Sequence, residues 1–451
     1  LAKLDDVRKK LNSVSSCFCL AKWANVTLHL ESGTNHSCHH PMVHETPVAE
    51  LKGNPSALHN TKYKIEQRKA MISGNRPKEC GYCWNVEDLE SESAISDRFL
   101  KSSAGHTFPL FEKIVNDPLS ATMNPSYVEA SFSNTCQFKC SYCSANFSST
   151  WADELKEHGP YHNQHGTSYV KLFKEEDNPY IKAFWEWWPT LKKDLHTFRI
   201  TGGEPLLSPN TFRIMESLLN DPQPHLHFNV NSNLGAPEVL VDKFIFSATG
   251  LLNSKAVKAV KIFTSIDANG TRAEYIRHGL KHDYFWNNVE CLLETHEDIQ
   301  IVIMCTFNVL SITSFKNLLD KILEINTKYP PKGFEMRLGI DIAYLRYPLH
   351  MAVNILPPEY LEHMKEIENY LVRNQSGNLE GGIGYTDMQV IKIHRIYEWM
   401  RKGLPESELK RNRADFYKFF KEHDRRRERN FLEVFPEMED FWNLCKNAAG
   451  E

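Results

Sequence analysis

The amino-acid sequence predicts an α/β protein made of parallel βα units, with a small cysteine-bearing domain before them and a helical region after. Three observations predict it. From residue 126 onward strand-like and helix-like stretches alternate, with six strand candidates in the series. Eight of the eleven cysteines fall before residue 144, in close groups. Beyond about residue 357 the strands stop and charged helical stretches take over.

At 451 residues the chain has room for two or three domains, and a hydrophobic content of 41% supports a sizeable core. No apolar run reaches the roughly eighteen residues a membrane span needs. Residues 1–12 are charged and lack an apolar signal-peptide core, which predicts a protein that is not exported. A net charge of −4 argues against a general nucleic-acid binder, since such surfaces are usually basic. Cysteines grouped in a long chain without an export signal point to metal or cluster ligation in a reducing, cytoplasmic setting. Cys291, Cys305 and Cys445 stand alone and are expected to be buried small hydrophobes.

Residues 1–105 form a module bearing cysteine, histidine and tryptophan, and Gly105, Pro109, Pro118 and Pro125 mark a linker. The βα region covers 126–350. Its strands are expected at 127–132, 197–201, 225–231, 259–266, 299–307 and 334–342. Helices are expected at 179–195, 209–219, 236–246, 284–295 and 311–325. Region 351–451 reads as helices 358–373, 387–402 and 415–447.

Cys136, Cys140 and Cys143 stand as C-x-x-x-C-x-Y-C just after the first of these strands. Thiolates at such short spacing can hold three irons of a 4Fe–4S cube. The next cysteine is Cys291, too far along to close the set locally. One iron is therefore left open, and an open iron can bind a substrate or cofactor. A zinc knot or three unrelated thiols is the alternative; zinc needs a second ligand pair, for which His162 and His165 are the close candidates.

This spacing, with an aromatic before the last cysteine, resembles the signature of the radical S-adenosylmethionine (radical SAM) family. The resemblance implies a partial (β/α)6 TIM-like radical SAM barrel, with its chemistry at the C-terminal ends of the strands. It also implies a 4Fe–4S cluster on Cys136, Cys140 and Cys143 whose open iron takes the amino and carboxylate groups of S-adenosylmethionine. Cleavage driven by an external one-electron reductant then yields a 5′-deoxyadenosyl radical, which takes a hydrogen atom from the substrate.

Residues 199–205 read Arg-Ile-Thr-Gly-Gly-Glu-Pro, where two glycines let backbone approach a ligand closely. In the family this element binds the methionine amino group, so Gly202, Gly203 and Glu204 carry over. Read alone, it is a strand-to-helix turn. Asn231 and Ser232, then Ser265 and Asp267, end the third and fourth strands and are candidates for ribose and carboxylate contacts. Asn-Ser-Asn is equally a common turn sequence. Arg277 aligns with the family arginine that pairs the methionine carboxylate, a bidentate match; a surface helix arginine is the plain alternative. Tyr142 is expected to stack near the adenine, which also meets backbone near 342–344.

The N-terminal module carries Cys17, Cys19, Cys38, Cys80 and Cys83. The C-x-x-C at its end is a two-ligand grip, and one cysteine from each earlier segment completes four. The wording Arg-Pro-Lys-Glu-Cys-Gly-Tyr-Cys-Trp at 76–84 resembles twitch domains, shorter relatives of the SPASM module that carry an auxiliary 4Fe–4S cluster in radical SAM enzymes. In most relatives the module follows the barrel, whereas here it precedes it. The assignment is Cys19, Cys38, Cys80 and Cys83 as ligands of a second, auxiliary 4Fe–4S cluster, with Cys17 the spare. A structural zinc held by four cysteines competes with it. His36, His39 and His40 flank Cys38 and are read as hydrogen-bond partners or solvated residues.

The aromatic run 184–188 reads as core, the arginines of 425–429 as a solvated helix face, and the glycines of 381–384 as a flexible turn. Twitch and SPASM relatives act mostly on peptides, so the resemblance implies an enzyme that modifies a peptide or protein substrate. Crosslinking, epimerisation, thioether formation and splicease-type backbone excision stay open. No winged-helix leader-binding segment is evident, so a separate leader-recognition protein is the expected partner. The rivals are an RNA-modifying enzyme of the methylthiotransferase type and a non-enzymatic zinc or iron–sulfur binding protein.

Overall fold

Burial alternates residue by residue along the strands, as period-two side chains require when one sheet face packs on helices and the other stays half open. The computed structural model describes residues 4–89, 95–162, 172–331, 336–376, 378 and 383–451. His165 and the glycines Gly381 and Gly382 lie outside the described residues. Eleven strands occur among the described residues. They are β1 (Asn25–His29), β2 (Thr34–His36), β3 (His44–Glu45), β4 (Tyr127–Ser131), β5 (Lys139–Cys140) and β6 (Thr197–Thr201). Then come β7 (Gln223–Asn231), β8 (Val257–Thr264), β9 (Arg277–His278), β10 (Gln300–Phe307) and β11 (Leu338–Tyr344). The fold is a mixed α/β arrangement with a large, mostly parallel sheet and many helices.

The chain divides into two units. The first comprises Leu1–Asn134, Val170–Val230 and Gly250–Ala259. Its strands β7, β6, β4 and β1 run parallel in that order, and β2 and β3 extend the sheet antiparallel beyond β1. Val26, Leu28, Val128, Ala130, Phe198 and Ile200 are buried on one face. Thr27, His29, Tyr127, Glu129 and Arg199 lie half-buried on the other. The helix Pro179–Asp194 starts where Asn178 Oδ1 accepts the Tyr180 and Ile181 N–H groups, with proline at its first position. Its Phe184, Trp187 and Trp188 are buried, and Trp188 packs on Phe198 with ring centroids 4.9 Å apart. The aromatic run is core, as read.

Strand β1 was not anticipated. Asn25–His29 is short and sits among cysteine, histidine and tryptophan, so its alternation is masked; its partner β4 comes about a hundred residues later. Residues 4–123 also build an apolar cluster of their own, with Val7, Leu11, Phe18, Trp23, Trp84, Phe99 and Phe111.

The second unit comprises Thr135–Tyr169, Asn231–Thr249 and Val260–Glu451. In it β10 pairs in parallel with β8 and β11, while the short β5 and β9 pair antiparallel. Four expectations need correction here. The helix expected at 415–447 is three helices, Glu406–Arg427, Phe431–Val434 and Glu439–Ala448. The first stops where Glu428 turns left-handed at φ 50°, and Asn430 caps the second. Cys291 is exposed, unlike Cys305 and Cys445. The sixth strand, expected at 334–342, lies at Leu338–Tyr344. Finally, the arginine run is no uniformly solvated face: Arg427 is buried, and Arg426 and Arg427 both turn onto Glu154. Among the described residues no helix is long and apolar enough to cross a membrane.

Candidate functional site

In the second unit, the loop carrying Cys136, Cys140 and Cys143 is pinned at each thiol-bearing segment. Cys140 lies in β5 opposite Arg277 of β9, and Ser141 N–H donates to the Ile276 carbonyl at 2.8 Å. Cys143 N–H closes a turn onto the Cys140 carbonyl, which also accepts from Trp151 Nε1 at 2.8 Å. Ser149 Oγ accepts from Cys136 N–H at 3.2 Å, and Ser148 and Thr150 hydroxyls donate to the Phe138 carbonyl. Phe138 lies in a slot that two glycines create. A Cβ on Gly235 would come within 2.3 Å of its ring, and one on Gly279, at φ 108°, within 2.8 Å.

Arg277 and Asp267 face each other at the middle of this set. Arg277 donates to both Asp267 oxygens at 2.8 and 3.1 Å, and its third nitrogen lies 3.8 Å from Cys140 Sγ. Tyr142 OH donates to Asp267 at 2.7 Å, and Thr306 N–H donates to the same carboxylate. Asp267 is wholly buried and Arg277 nearly so. Burial opposes the Arg277 charge, but Asp267, Tyr142 and Cys140 together outweigh it and hold the guanidinium well above its usual range. Burial pushes the Cys143 thiol up to about 12 and raises Cys140 too, against the pull of Arg277. One buried and two half-buried thiols gathered here have the chemistry of a metal-binding donor set, and a bound cation would keep them as thiolates.

Ser232 Oγ accepts the Leu234 N–H, and Asn233 Oδ1 accepts both the Gly235 N–H and the Gln137 side chain. The Asn-Ser-Asn run thus forms the turn, with Asn231 ending β7 and Ser265 half-buried two residues before Asp267. Asn233, which the sequence reading passed over, points Nδ2 at Cys136 Sγ across 3.9 Å. Its place as the third residue of that run was the only signal. Among the described residues, Thr264 Oγ1 and Gln137 Oε1 are buried without a hydrogen-bond partner.

In the first unit, Gly202 adopts φ 128°, and a Cβ there would strike the Ser133 carbonyl at 2.6 Å and Ser131 Oγ at 2.7 Å. Gly203 N–H donates to the same carbonyl, and the buried Glu204 accepts from Leu206 N–H through Oε1. Among the described residues, Ser131 Oγ, beside Gly202, is buried without a hydrogen-bond partner.

The same unit brings Cys19, Cys38, Cys80 and Cys83 around one cavity, with Lys22, His40, Asp97, Arg98 and Lys101. Cys17 lies apart, its thiol donating to the Gly74 carbonyl at 3.3 Å. Burial raises the Cys80 and Cys83 thiols to about 12 and lifts Cys38 as well. His36 Nδ1 meets the Cys38 carbonyl at 2.6 Å, and His40 stacks on Tyr82 while bonding Asp97. His39, His40 and Asp97 bring possible ligand atoms within 4.8 Å of one another, but the Lys101 ammonium sits 3.0 Å from His39 and 3.8 Å from Asp97. That charge disfavours a cation there. A groove of about 490 Å³ adjoins Cys38, lined by Thr27, His29, Tyr127, Glu129 and Arg199 among others.

No protein-family model matches the chain, and no curated protein is significantly similar to it. Among solved structures it is similar to Streptococcus suis SuiB bound to the precursor peptide SuiA, at TM-score 0.36 and 12% identity over 78% of this chain and 68% of that one. It is also similar to SuiB bound to S-adenosylmethionine, at TM-score 0.33 and 12% identity over 72% and 74% of the two chains. At such scores the likeness fixes neither fold nor function.

Proposed function

We propose that the chain is a radical SAM enzyme that modifies a peptide or protein, with an auxiliary cluster in its N-terminal part. The observation that carries this is the Cys136–Cys140–Cys143 loop, whose three thiols are held by backbone pairing and by the Tyr142–Asp267–Arg277 set. Cys136, Cys140 and Cys143 would hold a 4Fe–4S cluster, and Cys19, Cys38, Cys80 and Cys83 a second one. When bound, the first supplies the electron that splits S-adenosylmethionine and so releases a radical able to remove a hydrogen atom.

The chain's own residues do the rest. Gly202 and Gly203 are the residues assigned to the methionine end, and the buried Glu204 carboxylate is assigned to its amino group. Asp267 holds Arg277 and Tyr142 in fixed orientation, so the guanidinium stays beside Cys140 Sγ. Asn231, Ser232 and Ser265 are the residues assigned to ribose. The groove beside Cys38 falls within the ~300–1,000 Å³ usual for ligand sites, and its polar wall suits a peptide chain. Crosslinking, epimerisation and splicease-type excision are the reaction types in view, with an external one-electron reductant and a separate leader-recognition protein as partners.

The test is anaerobic reconstitution with iron and sulfide, followed by S-adenosylmethionine and dithionite. Formation of 5′-deoxyadenosine that Cys140→Ala abolishes is expected. Protein that binds zinc, or that leaves S-adenosylmethionine intact, would overturn the reading. Co-expression with a small peptide encoded beside the gene, read by mass spectrometry, then gives the substrate.

A further inference from the structure

The four-cysteine cavity has an unusual charge environment. Lys22 lines it at 3% exposure, and behind it Lys64 and Arg68 are buried at 1% and 0%. Lys64 and Arg68 come one turn apart from the helix Lys62–Ile72, on the side that also buries Met71. Lys22 pairs with Glu79, whose other oxygen accepts from Tyr63 OH. Arg98 is matched by Glu87, and Lys101 by Asp97. Lys64 and Arg68 have no such match. Lys64 Nζ meets His59 Nδ1 at 2.9 Å, and Arg68 reaches His59 Nε2, Asn60 Oδ1 and the Lys22 carbonyl. Neither meets a carboxylate among the described residues.

Burying cations without an anion is strongly unfavourable, so such groups are normally paired. Burial lowers Arg68 to about 9, which still leaves it cationic at neutral pH. Burial, and then the Arg68 and Lys22 charges, drive Lys64 well below its usual range, a shift that an anion in the cavity would oppose. A 4Fe–4S cube on four thiolates carries about two negative charges oxidised and about three reduced. Such a cluster would sit beside Lys22, with Lys64 and Arg68 behind it, and supply the negative charge that those two meet in no carboxylate among the described residues.

We propose that the buried cations Lys22 and Arg68, joined by Lys64 once an anion is present, are the countercharge of an anionic cluster on Cys19, Cys38, Cys80 and Cys83, and that Lys22 holds its reduction potential up. The inference rests on the auxiliary-cluster reading above and adds to it a set of tuning residues. A positive charge favours the more negative, reduced form, so removing one lowers the potential and removing a nearby carboxylate raises it. Lys22 is a positioning and tuning residue here; it is not a ligand.

The test uses the full chain carrying Cys140→Ala, reconstituted anaerobically, so that only the auxiliary signal remains. The reduced-to-oxidised ratio is read by EPR across a mediated redox titration. Lys22→Met is expected to lower that ratio at fixed poise at least tenfold, about 59 mV for one electron. Lys22→Arg should keep the original potential, and Glu79→Gln should shift it the opposite way. Lys64→Met supplies the same sign as Lys22→Met if the latter fails to fold. A cluster present in all variants at one potential, or one that moves the same way for Lys22→Met and Glu79→Gln, overturns the tuning. A chain that takes up no iron at this site overturns the auxiliary reading itself.

Discussion

The two cysteine sites are built in opposite ways. The loop of Cys136, Cys140 and Cys143 is contiguous in sequence, and Arg277, whose guanidinium lies beside Cys140, is tied up by Asp267 at 2.8 Å. The cavity of Cys19, Cys38, Cys80 and Cys83 gathers thiols from three separate segments and sets buried cations around them. A contiguous loop can leave one metal position open, because its three thiols approach from one side. A gathered set of four would enclose a metal on all sides. The contrast suits one site for chemistry and one for electrons.

The largest effect should come from removing cysteines at one site and then at the other. Cys136→Ala, Cys140→Ala or Cys143→Ala is expected to abolish 5′-deoxyadenosine formation, whereas Cys80→Ala should remove about half of roughly eight irons yet retain cleavage. Iron counting and product chromatography check both. Next comes Asp267→Asn, which leaves Arg277 buried and unpaired beside Cys140. Breaking a buried pair of this kind costs about 3–5 kcal/mol, so a denaturant midpoint should fall and iron should leave the loop before it leaves the cavity.

Glu154 separates the sites by pH. It lies buried between Arg427, Lys139 and the Tyr161 hydroxyl, and Lys139 belongs to the strand segment that leads into Cys140. Burial works against its charge, but Arg427 and Lys139 outweigh that and hold the carboxyl at about 2. A depressed carboxyl stabilises the fold above the ordinary range near 4.5 and loses that contribution as pH falls toward 2. Thermal melts of Glu154→Gln should therefore show a flatter acid limb than the parent. The smallest change is Gly279→Ala. At φ 108°, with Phe138 in the way, it should cost about 1–3 kcal/mol, seen as a lower melting temperature with auxiliary iron unchanged.

Much of the architecture was legible, and its gaps have physical causes. Strand β6 and helix Asp387–Lys402 lie where the pattern puts them, and β4 and β10 fall within a residue, because alternation and caps are local signals. Helix 236–246 is longer than expected, at Glu238–Asn253, since nothing in its sequence breaks it earlier. Partners distant in sequence left no local signal. Glu154 lies more than 270 residues before Arg427, so charge patterning alone read those arginines as solvated. In the candidate site, the cysteine spacing and the Gly202 turn were visible as motifs. The mutual grip of Asp267, Arg277 and Tyr142, and the reach of Asn233 to Cys136, needed the fold.

The central claim is a three-thiolate cluster that engages S-adenosylmethionine, and EPR of the reduced Cys80→Ala/Cys83→Ala chain tests it most directly. About four irons per chain and a signal that changes on adding S-adenosylmethionine are the expected result. A chain that binds one zinc, or whose signal is indifferent to S-adenosylmethionine, would contradict it.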